Sequence, residues 1–225
     1  AATLQDVEDL YLPYKQKKRT KAMIARENGL QPLADFVLTH LSEEIPTEAY
    51  INDALADAAA VLAGLHEIIA EQIGEKAIYR QWLRERMQRD GFLTVTVKRD
   101  GEEKDAQGVY AQYYDYSESL KSLQMNTFRI LAVNRGEKDG VLSVKIDFSE
   151  ERMRHFIQIK ERNGQGDSGE GYQVLLSAID DAYKRFIQPA VARELRQELT
   201  VLAQGQAIKV FGDNLYHLLI DRKST

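Results

Sequence analysis

Residues 53–73, DALADAAAVLAGLHEIIAEQI, decide how this chain is built. Leu55, Ala59, Leu62, His66, Ile69 and Ile73 recur at spacings of 4, 3, 4, 3 and 4, and a second ridge runs through Ala58, Leu65 and Ile68. Apolar residues three and four apart fall on one face of an α-helix, and a face this wide has to be buried. Gly74 supplies a stop, and residues 75–90 repeat the pattern, with Ile78, Trp82, Leu83 and Met87 expected inside and Arg80, Arg84 and Arg86 toward solvent. Two consecutive helices of this kind pack antiparallel or at a bend.

Working toward the N-terminus, residues 20–28 read as a short helix stopped at Asn28-Gly29, with Pro32 opening the next. Leu4, Val7, Leu10 and Tyr11 fit another short helix, ended by Pro13. Toward the C-terminus, residues 91–97 (GFLTVTV) and 141–148 (VLSVKIDF) alternate and pair as a two-stranded ribbon. Between them, residues 107–116 read as a tyrosine-rich helix, and residues 127–135 as either a helix ended by Gly136 or the first strand of a hairpin. Residues 160–171, KERNGQGDSGEG, carry no apolar side chain and read as an exposed, mobile loop. Leu175, Ile179, Ala182 and Phe186 then mark a helix. Pro189 opens the next, with Val191, Leu195, Leu199 and Leu202, and beyond a break at Gly205 a last helix uses Ile208, Phe211, Leu215 and Leu218. The expected fold class is mainly α, a multi-helix array with a small two-stranded β element. Its parts are a helical region over 1–90, a mixed segment over 91–160, a flexible glycine-rich loop over 161–171 and C-terminal helices over 172–225.

Composition limits the chemistry. The 225 residues contain no cysteine, which closes disulfides, thiolate zinc sites and cysteine nucleophiles. Thirty basic against 35 acidic residues give a formal charge of -5, so any polyanion site must be local. Charges within the first ten residues argue against a secretory signal, no apolar run reaches membrane-spanning length, and the expected location is cytoplasmic.

The most suggestive local feature is residues 15–26, KQKKRTKAMIAR, in which Lys15, Lys17, Lys18, Arg19, Lys21 and Arg26 are basic and nothing is acidic, with Tyr11 and Tyr14 just upstream. Six charges on one strand of nucleic acid give a salt slope on the order of -4. The competing reading is that this patch pairs with acidic helices of the same chain. Gly164, Gly166 and Gly169 match the spacing of a dinucleotide fingerprint, but Lys160, Glu161, Arg162 and Asn163 precede them where a buried strand is required, and Asp167 and Glu170 repel phosphate. His40, His66, His155 and His217 are too dispersed for a helical metal pair, and His66 reads as a core residue. Glu43-Glu44, Glu102-Glu103 and Asp180-Asp181 point to different faces and give no convergent acid–base pair. Tyr110, Tyr113, Tyr114 and Tyr116 could stack on bases but fit a core with outward hydroxyls better. No cofactor or metal site is expected, and the chain is not expected to be an enzyme.

Residues 7–21 (VEDLYLPYKQKKRTK) and 24–35 (IARENGLQPLAD) resemble the opening of the bacterial transcription accessory protein Tex family. Residues 110–118 (YAQYYDYSE), 129–142 (RILAVNRGEKDGVL) and 210–220 (VFGDNLYHLLI) extend the resemblance over nearly the whole chain. Gln16 departs from a usual proline, and Asn126 and Phe128 stand where a PSHR-type sequence has proline and histidine, of which Arg129 remains. The resemblance implies a helix over 127–135 with Asn126 at its N-cap. It also implies cytoplasmic proteins related to a eukaryotic elongation factor, with an N-terminal helical region, an RNase H-like domain, helix-hairpin-helix motifs and a C-terminal OB-fold that binds RNA. On that pattern the chain begins partway into the helical region and stops about where the RNase H-like domain begins. The resulting expectation is a helical scaffold of a protein that contacts RNA or DNA through its backbone when full length. The alternative is a module docking to transcription machinery or to neighbouring domains.

Overall fold

In the computed structural model, which describes residues 19–221, the helix of the decisive stretch is α3, Ala58–Glu75. It starts five residues later than its periodicity suggests, because Asn52 and Leu55 close a bridged turn and the Asp57 carboxylate accepts from the Ala60 amide at 2.8 Å. Its buried side centres on Val61, Leu65, Ile68 and Ile69; His66 is only half-buried, so the core role expected for it does not hold.

Two helices precede it. Thr20 caps α1, Lys21–Glu27, by accepting from the Met23 amide, and Gly29 at φ +83 closes it with the paired Gly29–Arg26 and Leu30–Ala25 backbone bonds of a Schellman turn. Pro32 sits in the first turn of α2, Gln31–Thr39.

The chain forms two compact units. The first takes residues up to Ile73 together with Gln158–Ala182, and the second takes Gly74–Ile157 and the residues from Tyr183 onward. In the first unit, α9, Glu170–Ala182, packs on α2, and the buried side chains of these helices and of α1 and α3 include Ala25, Leu33, Val37, Leu65, Leu175 and Ile179.

The second unit holds α4, Ala77–Asp90, which buries Tyr79, Leu83 and Met87, while Ile78 is half-exposed and Trp82 stacks on Phe156 at 4.4 Å between centroids. Its sheet is antiparallel in the order β2-β1-β3: β1 is Phe92–Val97, β2 Asp115–Ser119 and β3 Leu142–Asp147. The β1–β3 pairing is the one expected, with Leu93 opposite Ile146 and Val95 opposite Val144. The third strand corrects the two-stranded ribbon, and with it the tyrosine-rich helix. Residues 111–113 form a single 3-10 turn, after which Tyr116 and Glu118 lie opposite Val95 and Leu93 on the sheet's inner face. A short α5, Gly101–Lys104, and α6, Leu120–Leu123, flank this strand.

α7, Thr127–Lys138, is a helix, as the resemblance implies, and it runs through Gly136. A Cβ at Gly136 would lie 2.6 Å from Leu142 Cδ1 and 3.0 Å from the Tyr110 ring, so this glycine permits close packing; the stop is Gly140 at φ +77. Asn126 occupies the cap position, but its amide donates to the Ser122 carbonyl. Downstream of α8, Glu150–Arg162, the glycine-rich loop is fastened as well as exposed. Gln165 accepts from Leu41 N and donates to Leu38 O, Glu170 accepts from Ile45 N, and Gly169 at φ +107 lies against Leu41 and Ser42.

The two helices expected after Pro189 are one, α10, Gln188–Asp221. A π-turn, Tyr183–Ile187, precedes the proline, and its wider register relieves the clash of the ring with the preceding turn. Gly205 lies inside α10 without breaking it. Arg196 ties the helix to α7 and β3 by bonding Asn134 Oδ1 at 2.9 Å, Glu137 at 2.6 Å and the Val144 carbonyl.

Candidate nucleic-acid interface

Of the six basic residues singled out in the sequence, Lys15, Lys17 and Lys18 lie outside the described residues, as do Tyr11 and Tyr14. The other three lie on or beside α1, and each meets a carboxylate. Arg26 is held most firmly: its guanidinium reaches Glu71 on α3 at 2.5 Å and Gln31 at 3.0 Å, while the Thr20 hydroxyl donates to the other Glu71 oxygen. Glu71 is 13% exposed, so this pair is shielded from salt, and Arg26 fastens α1 to α3. Arg19 pairs with Glu27 at the surface, and Lys21 stands 3.6 Å from Glu67 with most of its side chain in water. Exposed pairs of this kind are worth at most about 1 kcal/mol, so Arg19 and Lys21 can exchange a carboxylate for a phosphate at little cost. The self-pairing considered against nucleic-acid contact thus describes Arg26 well and the other two loosely.

The four tyrosines are packing and bonding residues, not a stacking platform. Tyr110 and Tyr113 are buried. The Tyr110 hydroxyl donates to Asp139 at 2.5 Å, and that of Tyr114 donates to Asp105 at 3.0 Å. Asp105 also accepts from the Val109 and Tyr110 amides. Burial would raise its carboxyl, but these donors outweigh burial and hold it below the ordinary value.

A polar cluster that the sequence reading missed joins β2 to α7. Strand alternation turns Tyr116 and Glu118 inward, and Glu118 there accepts from the Tyr116 hydroxyl, the Ser122 hydroxyl and Arg129, the last at 2.9 Å. Burial pushes the Glu118 carboxyl up, and the three donors together with the Arg129 charge more than reverse it, so it stays ionised below its ordinary range. Burial, then the bond to Glu118, pushes the Tyr116 hydroxyl up to about 12. A fixed carboxylate with every donor satisfied organises structure and has no proton to exchange near neutrality. Its signal was present in the sequence as the alternating residues 115–119, DYSES, whose inward members are polar and aromatic.

The remaining candidates stay apart. His40 stacks on Phe36, while His155 and His217 are exposed at distant positions. Among the described residues, no group of three or more His, Asp or Glu could hold a metal ion, and no helix is long and apolar enough to cross a membrane. Gly164 and Gly169 follow a helix where the dinucleotide fingerprint follows a strand, and they serve the loop connection to residues 38–45. An exposed apolar surface lies elsewhere. It is a groove of about 550 Å³ between Met125, Phe128 and Leu131 on one side and Ala207, Val210 and Phe211 of α10 on the other.

The family described as Tex central region-like matches residues 40–211. The chain therefore belongs to the Tex family. It is 37% identical over 96% of its length to the uncharacterized protein YdcI of Bacillus subtilis and 33% identical over 95% to the transcriptional accessory protein Tex of Neisseria gonorrhoeae. Against the human S1 RNA-binding domain-containing protein 1 it is 29% identical over 97% of its length. It spans 30%, 28% and 23% of those three relatives, respectively. Two of the quoted family blocks, residues 110–118 and 129–142, meet in the Tyr116–Glu118–Arg129 cluster and the Tyr110–Asp139 bond.

Proposed function

We propose that this chain is a helical scaffold segment of a Tex-like transcription accessory protein that binds RNA or DNA as a full-length molecule, and that the segment itself carries out no catalysis. The observation that carries this reading is where its polar side chains are committed: Arg26 to Glu71, Arg129 to Glu118 and Arg196 to Glu137, each joining two elements of one unit. The names of its relatives, one a transcriptional accessory protein and one containing an S1 RNA-binding domain, support the wider role. Within the segment, Arg19 and Lys21, with Lys15, Lys17 and Lys18 before them, are the side chains to place along a phosphate backbone. Arg26 is withdrawn from that role by Glu71.

The test is fluorescence anisotropy of labelled single-stranded RNA and of single- and double-stranded DNA across a salt series, for the chain and for a Lys17→Glu, Lys18→Glu, Arg19→Glu variant. Salt-sensitive binding that the variant abolishes supports a backbone contact here. No binding at low salt removes that contact and favours the second reading, a docking module for proteins. The exposed apolar groove of α7 and α10 supports that second reading.

A further inference from the structure

The chain holds two Asn-Gly pairs, Asn28-Gly29 and Asn163-Gly164, and the fold treats them differently. An asparagine followed by glycine is open to attack by its own backbone, because a residue without a Cβ lets the next nitrogen reach the side-chain amide. At Asn28 that approach is blocked. The Gly29 amide donates to the Arg26 carbonyl at 2.9 Å, and the Asn28 and Leu30 amides on either side donate to Ile24 at 3.0 Å and to Ala25 at 3.1 Å. Leu30 is fully buried, so the Gly29 nitrogen can move only when the Schellman turn opens.

Asn163 and Gly164 stand just past the end of α8, both exposed, at φ +44 and φ +81. Among the described residues Asn163 is the one with a side chain that adopts positive φ, a conformation asparagine tolerates better than most. Among the same residues no backbone acceptor meets the Gly164 amide, and nothing lies within 4 Å of where a Gly164 Cβ would stand. The next residue is tied down. The Gln165 amide donates to the Arg162 carbonyl at 2.8 Å, and its side chain accepts from Leu41 N at 3.0 Å and donates to Leu38 O at 2.9 Å.

We infer that Asn163 is a site of spontaneous deamidation, and that the reaction unfastens this loop from residues 38–45. The Gly164 amide nitrogen gives up its proton to hydroxide and attacks Asn163 Cγ. A C–N bond forms, the bond to the side-chain NH2 breaks, and that group leaves with a proton as ammonia. Water then opens the cyclic imide. Attack at the side-chain carbonyl gives aspartate, and attack at the main-chain carbonyl gives isoaspartate, whose backbone runs one methylene longer. No oxidant, reductant or cofactor takes part. Either product adds a carboxylate next to Arg162, which pairs with Asp167 at 3.5 Å, and makes a loop that already carries Glu161, Asp167 and Glu170 against Lys160 and Arg162 more acidic. Isoaspartate also lengthens the link between Arg162 and Gln165, whose hydrogen bond closes the turn. The Gln165 side chain is thereby drawn off Leu38 and Leu41.

Peptide mapping by mass spectrometry of the 225-residue chain, aged at mildly alkaline pH with and without urea, tests this. In the folded chain Asn163 should convert to aspartate and isoaspartate roughly tenfold or more faster than Asn28, a ratio set by the opening of the Schellman turn. In urea the two pairs should react at similar rates. Hydrogen exchange at the Leu41 amide, which donates to Gln165, should be faster in the aged chain than in a fresh one. Asn163→Gly, which accepts the positive φ and has no side-chain amide to lose, should keep Leu41 protected through the same ageing. Equal conversion of the two pairs in the folded chain, or no conversion at Asn163, overturns the assignment of the site. Unchanged exchange at Leu41 in converted chain overturns its effect on the loop. None of these outcomes bears on oligonucleotide binding, so the functional reading stands or falls separately.

Discussion

Replacing Gly136 by alanine opposes two effects of known size. In the interior of α7 the added methyl should help, since alanine is favoured over glycine by about 1 kcal/mol. The same methyl would stand 2.6 Å from Leu142 Cδ1, 2.9 Å from Leu142 Cγ and 3.0 Å from Tyr110 Cδ1. Leu142 is fully buried in β3 and Tyr110 is fixed by its bond to Asp139, so neither can swing away. Overpacking of this kind costs about 1–3 kcal/mol, and with the helical gain subtracted the net loss is about 1 kcal/mol, up to about 2. In a chain of this size that lowers the melting temperature by about 2–8 °C. Trp82, the single tryptophan, lies in the same unit and reports its unfolding in urea by fluorescence. A midpoint unchanged or raised by Gly136→Ala would refute the close packing of α7 on β3.

Gly205→Ala, in open space, should increase the helical ellipticity by strengthening the end of α10 and leave the Trp82 midpoint where it was. Because the Glu118 carboxyl is depressed in the folded chain, its contribution is complete above the unfolded value of 4.5 and is lost as pH falls through the folded one. Glu118→Gln should therefore flatten the fall of the urea midpoint with pH below 4.5, and an unchanged slope would remove the cluster from acid stability. Glu71→Ala strands the Arg26 guanidinium and the Thr20 hydroxyl and should cost about 1–3 kcal/mol in urea titration. Arg26→Gln should leave the salt slope of any oligonucleotide binding unchanged, whereas Lys21→Gln should reduce it.

What could be read from the sequence was whatever a single element encodes by itself. The ridge through Leu65 and Ile68, the alternation of residues 92–97 and 142–147, and the Asn28-Gly29 stop are local patterns, and each appears in the structure where expected. β2 escaped because its inward residues are Tyr116 and Glu118, and a strand that buries a carboxylate is recognised only when Ser122 and Arg129 are seen to satisfy it. α10 was divided because Pro189 and Gly205 are ordinary breaks; the π-turn that accommodates the first depends on register and leaves no compositional mark. The basic residues were visible as charges, but the carboxylates that Lys21 and Arg26 meet stand more than forty residues away on α3, and only the packing of α1 against α3 brings Arg26 to Glu71.

A straight helix also acts as a screw, and on α10 the thread count sets a direction. The buried stripe through Val191, Leu195, Leu199 and Ala203 and the exposed row from Ile208 to Leu218 share one axis, and at about 100° per residue they face roughly half a turn apart. No loop intervenes to correct an error. One alanine inserted after Ala203 would swing all four outer residues by about 100°, while seven would return them to within about 20° of their original bearing. The direction in which the outer row faces is thus set by counting residues from a fixed anchor, and an insertion in this stretch keeps that direction only when it comes in near-heptad steps.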